Sequence, residues 1–198
     1  MTESFPTPES TDAVTMETTR PAVGRPFTLF FTGLPAAGKT TLATAVTRKL
    51  EQLGFSPRLL DGDEVRRSVS ADLGFSREDR IENIRRMSKL AAETPEDISV
   101  VAAVSPSNEA RRIARDTIAE QRDFVLVWMA TPRDVCEERD PKGLYARARA
   151  GEIENFTGVS DPYEQPEDAD LVIDTTRHSL DNSIELVFDL LRKNGLLA

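Results

Sequence analysis

The stretch that most limits what this chain can fold into is Gly33-Leu34-Pro35-Ala36-Ala37-Gly38-Lys39-Thr40. It follows an apolar run, Phe27–Thr32, and leads into a segment where Leu42, Val46, Leu50 and Leu53 fall on one helical face. A turn of the form G-x-x-x-x-G-K-[ST] between a buried strand and a helix is a cradle for phosphates. Its glycines let backbone N–H groups surround the anion, and the helix N-terminus adds partial positive charge. Lys39 would neutralise the β and γ oxygens of a nucleotide, and the Thr40 hydroxyl would hold Mg²⁺. The plainer alternative, a tight turn with an incidental Gly-Lys-Thr, has to explain every fixed position in the right context.

The same alternation of short apolar runs with amphipathic segments continues along the chain. The runs are Phe27–Thr32, Arg58–Leu60, Ile98–Val104, Phe124–Ala130 and Leu171–Asp174, most of them nearly continuous, as strands covered on both faces are. Ile81, Ile84, Met87 and Ala91 share one helical face, and so do Leu180, Ile184, Val187 and Leu191. This pattern predicts an α/β domain, a five-stranded parallel sheet with helices on both faces. Residues 1–25 are rich in Thr, Pro, Ser and acids with no apolar period, so they are expected to form a disordered tail ahead of one domain spanning 26–198. No fixed-period repeat marks a solenoid.

Composition disfavours several function classes. A formal net charge of −9 over 198 residues argues against nucleic acid and acidic membranes as general partners. One cysteine, Cys136, and one histidine, His178, offer neither an internal disulfide nor a Cys/His zinc cluster. No run approaches the roughly 20 apolar residues of a membrane span. Glu3, Glu9 and Asp12 stand where a secretion signal carries basic and apolar residues, so a cytoplasmic location is the expectation.

In an open parallel sheet, ligands gather at the carboxyl ends of the strands. The second run leads into Asp61-Gly62-Asp63-Glu64-Val65-Arg66-Arg67. Two carboxylates around a glycine can serve a metal ion and a hydroxyl nucleophile, with Arg66 on the face of Asp63. They can equally cap a helix, and the pattern leaves both readings open. Arg80 and Asn83 share a face distinct from that of Ile81 and Ile84, suited to an anionic, hydrogen-bonding ligand. Phe75, in the polar loop before them, reads from pattern as a hydrophobic staple. From Arg139 to Arg149, four basic residues (Arg139, Lys142, Arg147 and Arg149) stand against one acid, Asp140. That contrast suits a phosphate-facing lid or a solvated helix face.

Together these segments resemble the adenylylsulfate kinase family. The matching stretches are GLPAAGKTTLA (33–43), LDGDEVRR (60–67), DLGFSREDRIENIRR (72–86), CEERDPKGLYARARAGEIENFTGV (136–159) and DPYEQP (161–166), and the likeness runs from about Phe27 to the C-terminus. The resemblance implies a three-layer P-loop kinase fold with a mobile lid over about residues 139–158. It also implies transfer of the ATP γ-phosphate to the 3′-hydroxyl of adenylyl sulfate with Mg²⁺ as cofactor. By position, Gly33, Leu34, Pro35, Ala36, Ala37, Gly38, Lys39, Thr40, Thr41 and Arg139 would hold ATP. Lys39, Asp61 and Asp63 would be catalytic, and Thr40 and Asp61 would serve the metal. Arg66, Arg80 and Asn83 would grip the phosphosulfate, Ser105 would contact the acceptor, and Lys142 would belong to the lid. Phe75 and Phe156 would sandwich the acceptor's adenine, which replaces the staple reading of Phe75. The implied partner is a small-molecule acceptor, and a homodimer is compatible with the resemblance.

One departure matters. The family typically carries Ile-Ser-Pro-Tyr-Arg after the third strand with another arginine three residues on, whereas this chain has Val104-Ser105-Pro106-Ser107-Asn108 and keeps Arg111. A family serine sometimes assigned as a phosphorylated intermediate falls at Ser105, where serine before proline is also a turn former. Loss of a ring and a charge at 107 and 108 makes a kinase of the same architecture with another acceptor the nearest rival. On the leading reading, Arg66, Arg80 and Arg111 still supply charge to the phosphosulfate. A nucleotide-binding regulatory protein without turnover is the rival from another class, and intact Lys39, Asp61, Asp63 and Arg80 speak against it. Glu93-Thr94-Pro95-Glu96-Asp97 also departs from the family's small-residue turn.

Overall fold

The first strand, β1 (Phe27–Gly33), is buried along its whole length, and its apolar side chains divide between two cores. Phe27, Leu29 and Phe31 join Leu42, Val46 and Leu50 of helix α1 (Lys39–Gln52) and Val187 and Leu191 of α7 (Leu180–Lys193). Phe30 faces the opposite way, toward Ile84 and Met87 of α3 (Arg77–Ala92) and Ala110, Ala114 and Ile118 of α4 (Asn108–Ala119). These are the three layers expected from the sequence. The computed structural model describes residues 23–198.

The other strands are β2 (Pro57–Asp61), β3 (Ile98–Ala102), β4 (Asp123–Met129) and β5 (Leu171–Ile173). All pair in parallel in the order β2-β3-β1-β4-β5. The chain leaves β1 for α1 on one face and leaves the neighbouring β3 for α4 on the other. A crevice therefore opens between their carboxyl ends, the usual ligand position in such sheets. Three short helices, α2 (Gly62–Arg67), α5 (Arg133–Arg139) and α6 (Leu144–Arg149), stand around that crevice.

Several sequence expectations shift at their edges. The third run leaves the sheet after Ala102, because Val104–Pro106 turns aside with Ser105 at φ 42°. Leu53 and Leu180, assigned to buried faces, are about half exposed, since one lies just past the end of α1 and the other at the first position of α7. The Glu93–Asp97 turn is clamped by Arg122, which donates to Thr94 O at 2.7 Å and Glu96 O at 3.0 Å. Of the expected tail, residues 1–22 lie outside the described residues. Val23 pairs antiparallel with Leu197, and Gly24 N donates to Leu196 O at 3.1 Å, so the packed domain begins by Val23 rather than at Pro26. No helix among the described residues is long and apolar enough to cross a membrane.

Candidate active site

The loop after β1 depends on two glycines. A Cβ on Gly33 would stand 2.7 Å from the Met129 carbonyl oxygen of the adjacent strand, and Gly38 enters α1 at φ 97°, a backbone that side chains disfavour. Ala36 takes φ 61° without that freedom, the kind of local strain found where a loop is shaped for a ligand. Lys39 is buried and folded back on the loop, its Nζ donating to Gly33 O at 3.0 Å and Leu34 O at 2.7 Å. Burial pulls its pKa down to about 8, against the pull of Cys136, Asp63 and Asp61.

The carboxylate of Asp61 bears out the capping reading and also meets the Thr40 hydroxyl. Its Oδ1 caps α2 by accepting from Asp63 N at 2.9 Å, while Oδ2 accepts from Thr40 Oγ1 at 2.7 Å. A hydroxyl and a carboxylate side by side are hard oxygen donors of the kind Mg²⁺ takes. Among the described residues, no three His, Cys, Asp or Glu side chains group to hold a metal ion. Asp63 is ion-paired with Lys142 from the lid segment.

The opposite wall gathers cations and a ring. The Arg66 guanidinium lies 4.7 Å from the centre of the Phe75 ring and donates to Gly74 O at 2.8 Å. Phe75 is 58% exposed and precedes the α3 cap, Ser76; its would-be staple partner is Arg80, so no apolar staple forms. Arg80 donates to Phe75 O at 3.1 Å and also to Asn155 O and Thr157 Oγ1, which ties α3 to the end of the lid. Burial pushes the pKa of both arginines below the ordinary value, with repulsion from Arg80 adding to the effect at Arg66. Cations held this way favour an arriving anion. Asn83 and Ser105 are buried at the same cleft, and Asn83 Oδ1 and Ser105 Oγ have no hydrogen-bond partner among the described residues. The cleft holds about 580 Å³ and runs from the Lys39 loop to Phe75 and Phe156.

The segment expected as a lid, residues 139–158, meets the phosphate loop directly. Tyr145 Oη donates to Pro35 O at 3.1 Å, and its ring meets Phe156 edge-on at 5.0 Å. The basic cluster divides. Arg147 pairs with Glu152 and Arg149 with Glu137 away from the cleft, so the solvated-face reading holds for these two. Lys142 lines the cleft, and Arg139 donates to Thr175 Oγ1 at 2.7 Å. Thr131 and Thr175, which sequence reasoning missed, complete this corner. Thr131 Oγ1 donates to Ala37 O at 3.1 Å and lies 2.8 Å from Thr175 Oγ1, joining the loop to the ends of β4 and β5. Applying the strand-end rule to the fourth and fifth runs as well would have found them.

Ser107 and Asn108 are outside the cleft lining. One acceptor-side expectation is corrected. Arg111 is buried outside the lining as well, donating to Ser105 O at 2.7 Å and Glu164 O at 2.5 Å. Its guanidinium is committed to these carbonyls and to Asn108 Oδ1.

The family model described as adenylylsulphate kinase matches residues 25–174. The chain belongs to the adenylylsulphate kinase family. This family member is 46% identical over 172 residues to the adenylyl-sulfate kinase of Halothermothrix orenii, covering 86% of the chain and 91% of that protein. It is 48% identical over 168 residues to the adenylyl-sulfate kinase of Shewanella pealeana, covering 84% and 82%. The solved structure of Mycobacterium tuberculosis APS kinase in complex with AMPPNP and APS matches with a TM-score of 0.82 at 46% identity, over 85% of this chain and 98% of that one.

For an adenylylsulphate kinase with a half-deprotonated loop lysine near pH 8, nucleotide binding should be linked to protons. Polyphosphate favours the ammonium form, so ATP binding at about pH 8.5 should take up protons, and ATP affinity should fall as pH rises through about 8. Calorimetry in two buffers of different ionisation heat reads the uptake directly. An uptake unchanged in Lys39→Met would place the proton elsewhere.

Proposed function

We propose that this chain transfers the γ-phosphate of ATP to the 3′-hydroxyl of adenylyl sulfate, releasing ADP and 3′-phosphoadenylyl sulfate. The observation that carries this reading is a single cleft in which Lys39, Asp61 and Asp63 face Arg66, Phe75 and Asn83. One end suits a polyphosphate and the other an anion attached to a flat base. A relative of the same fold was solved with both AMPPNP and APS, which supports that pairing.

Phosphoryl transfer needs in-line positioning and neutralisation of spreading negative charge. Lys39 would exchange its two carbonyl partners for phosphate oxygens, with the loop's backbone N–H groups around them. Thr40 and Asp61 would hold Mg²⁺, which would supply further charge neutralisation. Asp63 would orient the 3′-hydroxyl and take its proton once Lys142 turns from it to the phosphates. Arg66 and Arg80 would bind the phosphosulfate, and the partnerless Asn83 Oδ1 and Ser105 Oγ are free to bond the acceptor. Phe75 and Phe156 would hold the adenine, and the lid would exclude water that otherwise hydrolyses ATP.

The decisive assay follows ADP and 3′-phosphoadenylyl sulfate with and without adenylyl sulfate. ADP release should depend on the acceptor and match product one for one. Release that ignores adenylyl sulfate, or no turnover with it, would refute the reading.

A further inference from the structure

Between β3 and α4 the chain forms one wall of the cleft, and only Ser105 and Pro106 of the Ser105–Asn108 stretch line it. Three consecutive carbonyls of this wall are bound from behind. Thr32 Oγ1 donates to Val104 O at 2.7 Å, Arg111 Nη1 to Ser105 O at 2.7 Å, and Glu164 N to Pro106 O at 2.8 Å. Thr32 has one hydroxyl proton and directs it at Val104 O, so in its 3.0 Å contact with Tyr163 the phenol donates. Burial pushes the Tyr163 pKa up to about 12, which keeps that proton in place.

Residues 161–166, the DPYEQP stretch singled out in the sequence, thus cross behind the wall as a strap. The Arg111 guanidinium sits 5.4 Å from the centre of the Tyr163 ring, and its Nη2 reaches both Glu164 O and Asn108 Oδ1. The Glu164 carboxylate accepts from Asn108 N at 2.6 Å, and Ser107 Oγ accepts from Ala110 N at 3.2 Å at the start of α4. What this network surrounds is strained. Ser105 is a non-glycine residue at φ 42°, 1% exposed, with its hydroxyl unpartnered among the described residues. Such a conformation persists only where its surroundings over-determine it.

We propose that Tyr163, Glu164 and Arg111 are positioning residues that hold the Ser105–Pro106 wall in this conformation and so set acceptor affinity. Asn108 Oδ1 is a further acceptor of Arg111 Nη2, and Ser107 Oγ caps α4 behind the wall. The kinetic arm of this proposal rests on the function proposed above; the conformational arm does not.

The test compares the full chain with Tyr163→Phe, Glu164→Gln and Arg111→Lys. Each should raise the KM for adenylyl sulfate roughly 3- to 10-fold, the worth of about one hydrogen bond, with kcat and the KM for ATP near wild type. Amide exchange of Val104, Ser105, Ser107 and Asn108 in the ligand-free protein should quicken in parallel. Should Arg111→Lys fail to fold, Tyr163→Phe, which removes only one oxygen, still decides the matter. Unchanged exchange at those amides in Tyr163→Phe and Glu164→Gln overturns the strap. Faster exchange with an unchanged acceptor KM, or a lowered melting temperature alone, overturns its link to affinity. A wild type that does not use adenylyl sulfate sinks the function proposed above, and the exchange data still decide the strap.

Discussion

Lys39→Met should lower the rate of phosphoryl transfer by about 100- to 1,000-fold, the scale of losing one preorganised charge at a transferring group. Methionine keeps the buried stem and deletes only the ammonium. The two loop carbonyls that Lys39 now satisfies, Gly33 O and Leu34 O, lose a donor, while the burial penalty on the cation disappears. These effects oppose each other, so the protein should still melt cooperatively. The pH profile carries a further signature. With the folded pKa near 8 and the free value at 10.5, the unfolded chain binds more protons between those values. Lysine 39 therefore costs stability below about pH 8, and stability rises as that cost lifts toward pH 10.5. This rise should be missing from Lys39→Met. ADP formation and thermal melts on the same samples check both parts. Near-normal turnover, or loss only through unfolding, would defeat the role given to the loop.

The two phenylalanines assigned to the acceptor's adenine should separate into different phenotypes. Phe75 is 58% exposed and rests on Arg66, so Phe75→Ala should leave the melting temperature unchanged. It should weaken acceptor binding by about 1–3 kcal/mol, the usual worth of stacking a base on a ring. Phe156 is 9% exposed, belongs to the larger core and packs edge-on against Tyr145. Phe156→Ala should weaken the acceptor too and in addition destabilise the fold by about 3 kcal/mol. Because Tyr145 also bonds the phosphate loop at Pro35, this variant should affect ATP as well. Melting curves with KM values for both substrates read all of this. A rise in the ATP KM alone, in either variant, would sink the sandwich.

Local chemistry was legible without the fold. The phosphate loop, Asp61-Gly62-Asp63, the Arg80–Asn83 spacing and the five apolar runs are patterns within a few residues, and each lies where those patterns put it. Helix α4 escaped notice because its buried face is Ala110, Arg111, Ala114 and Ile118, with too little apolar bulk to mark a stripe. Thr131 and Thr175 escaped because a threonine after a strand carries no signal until its partners are known.

Charges were the least readable part. Within one basic run, Arg147 and Arg149 neutralise neighbouring acids, while Lys142 meets Asp63, 79 residues away. Arg111 resembles an anion ligand in sequence and is a backbone clamp in the fold, and Tyr163 reaches Thr32 across 131 residues. The residue types and their short-range spacing carried the phosphate loop and the paired carboxylates at the end of the second run, since backbone geometry dictates what three or four neighbours can do, while the reaction came from the family resemblance. Which cations face the cleft, which ring is exposed and what braces the Ser105 wall depended on the sheet order. Only when β1 lies between β3 and β4 do the strand ends, the lid and the strap come within hydrogen-bond range.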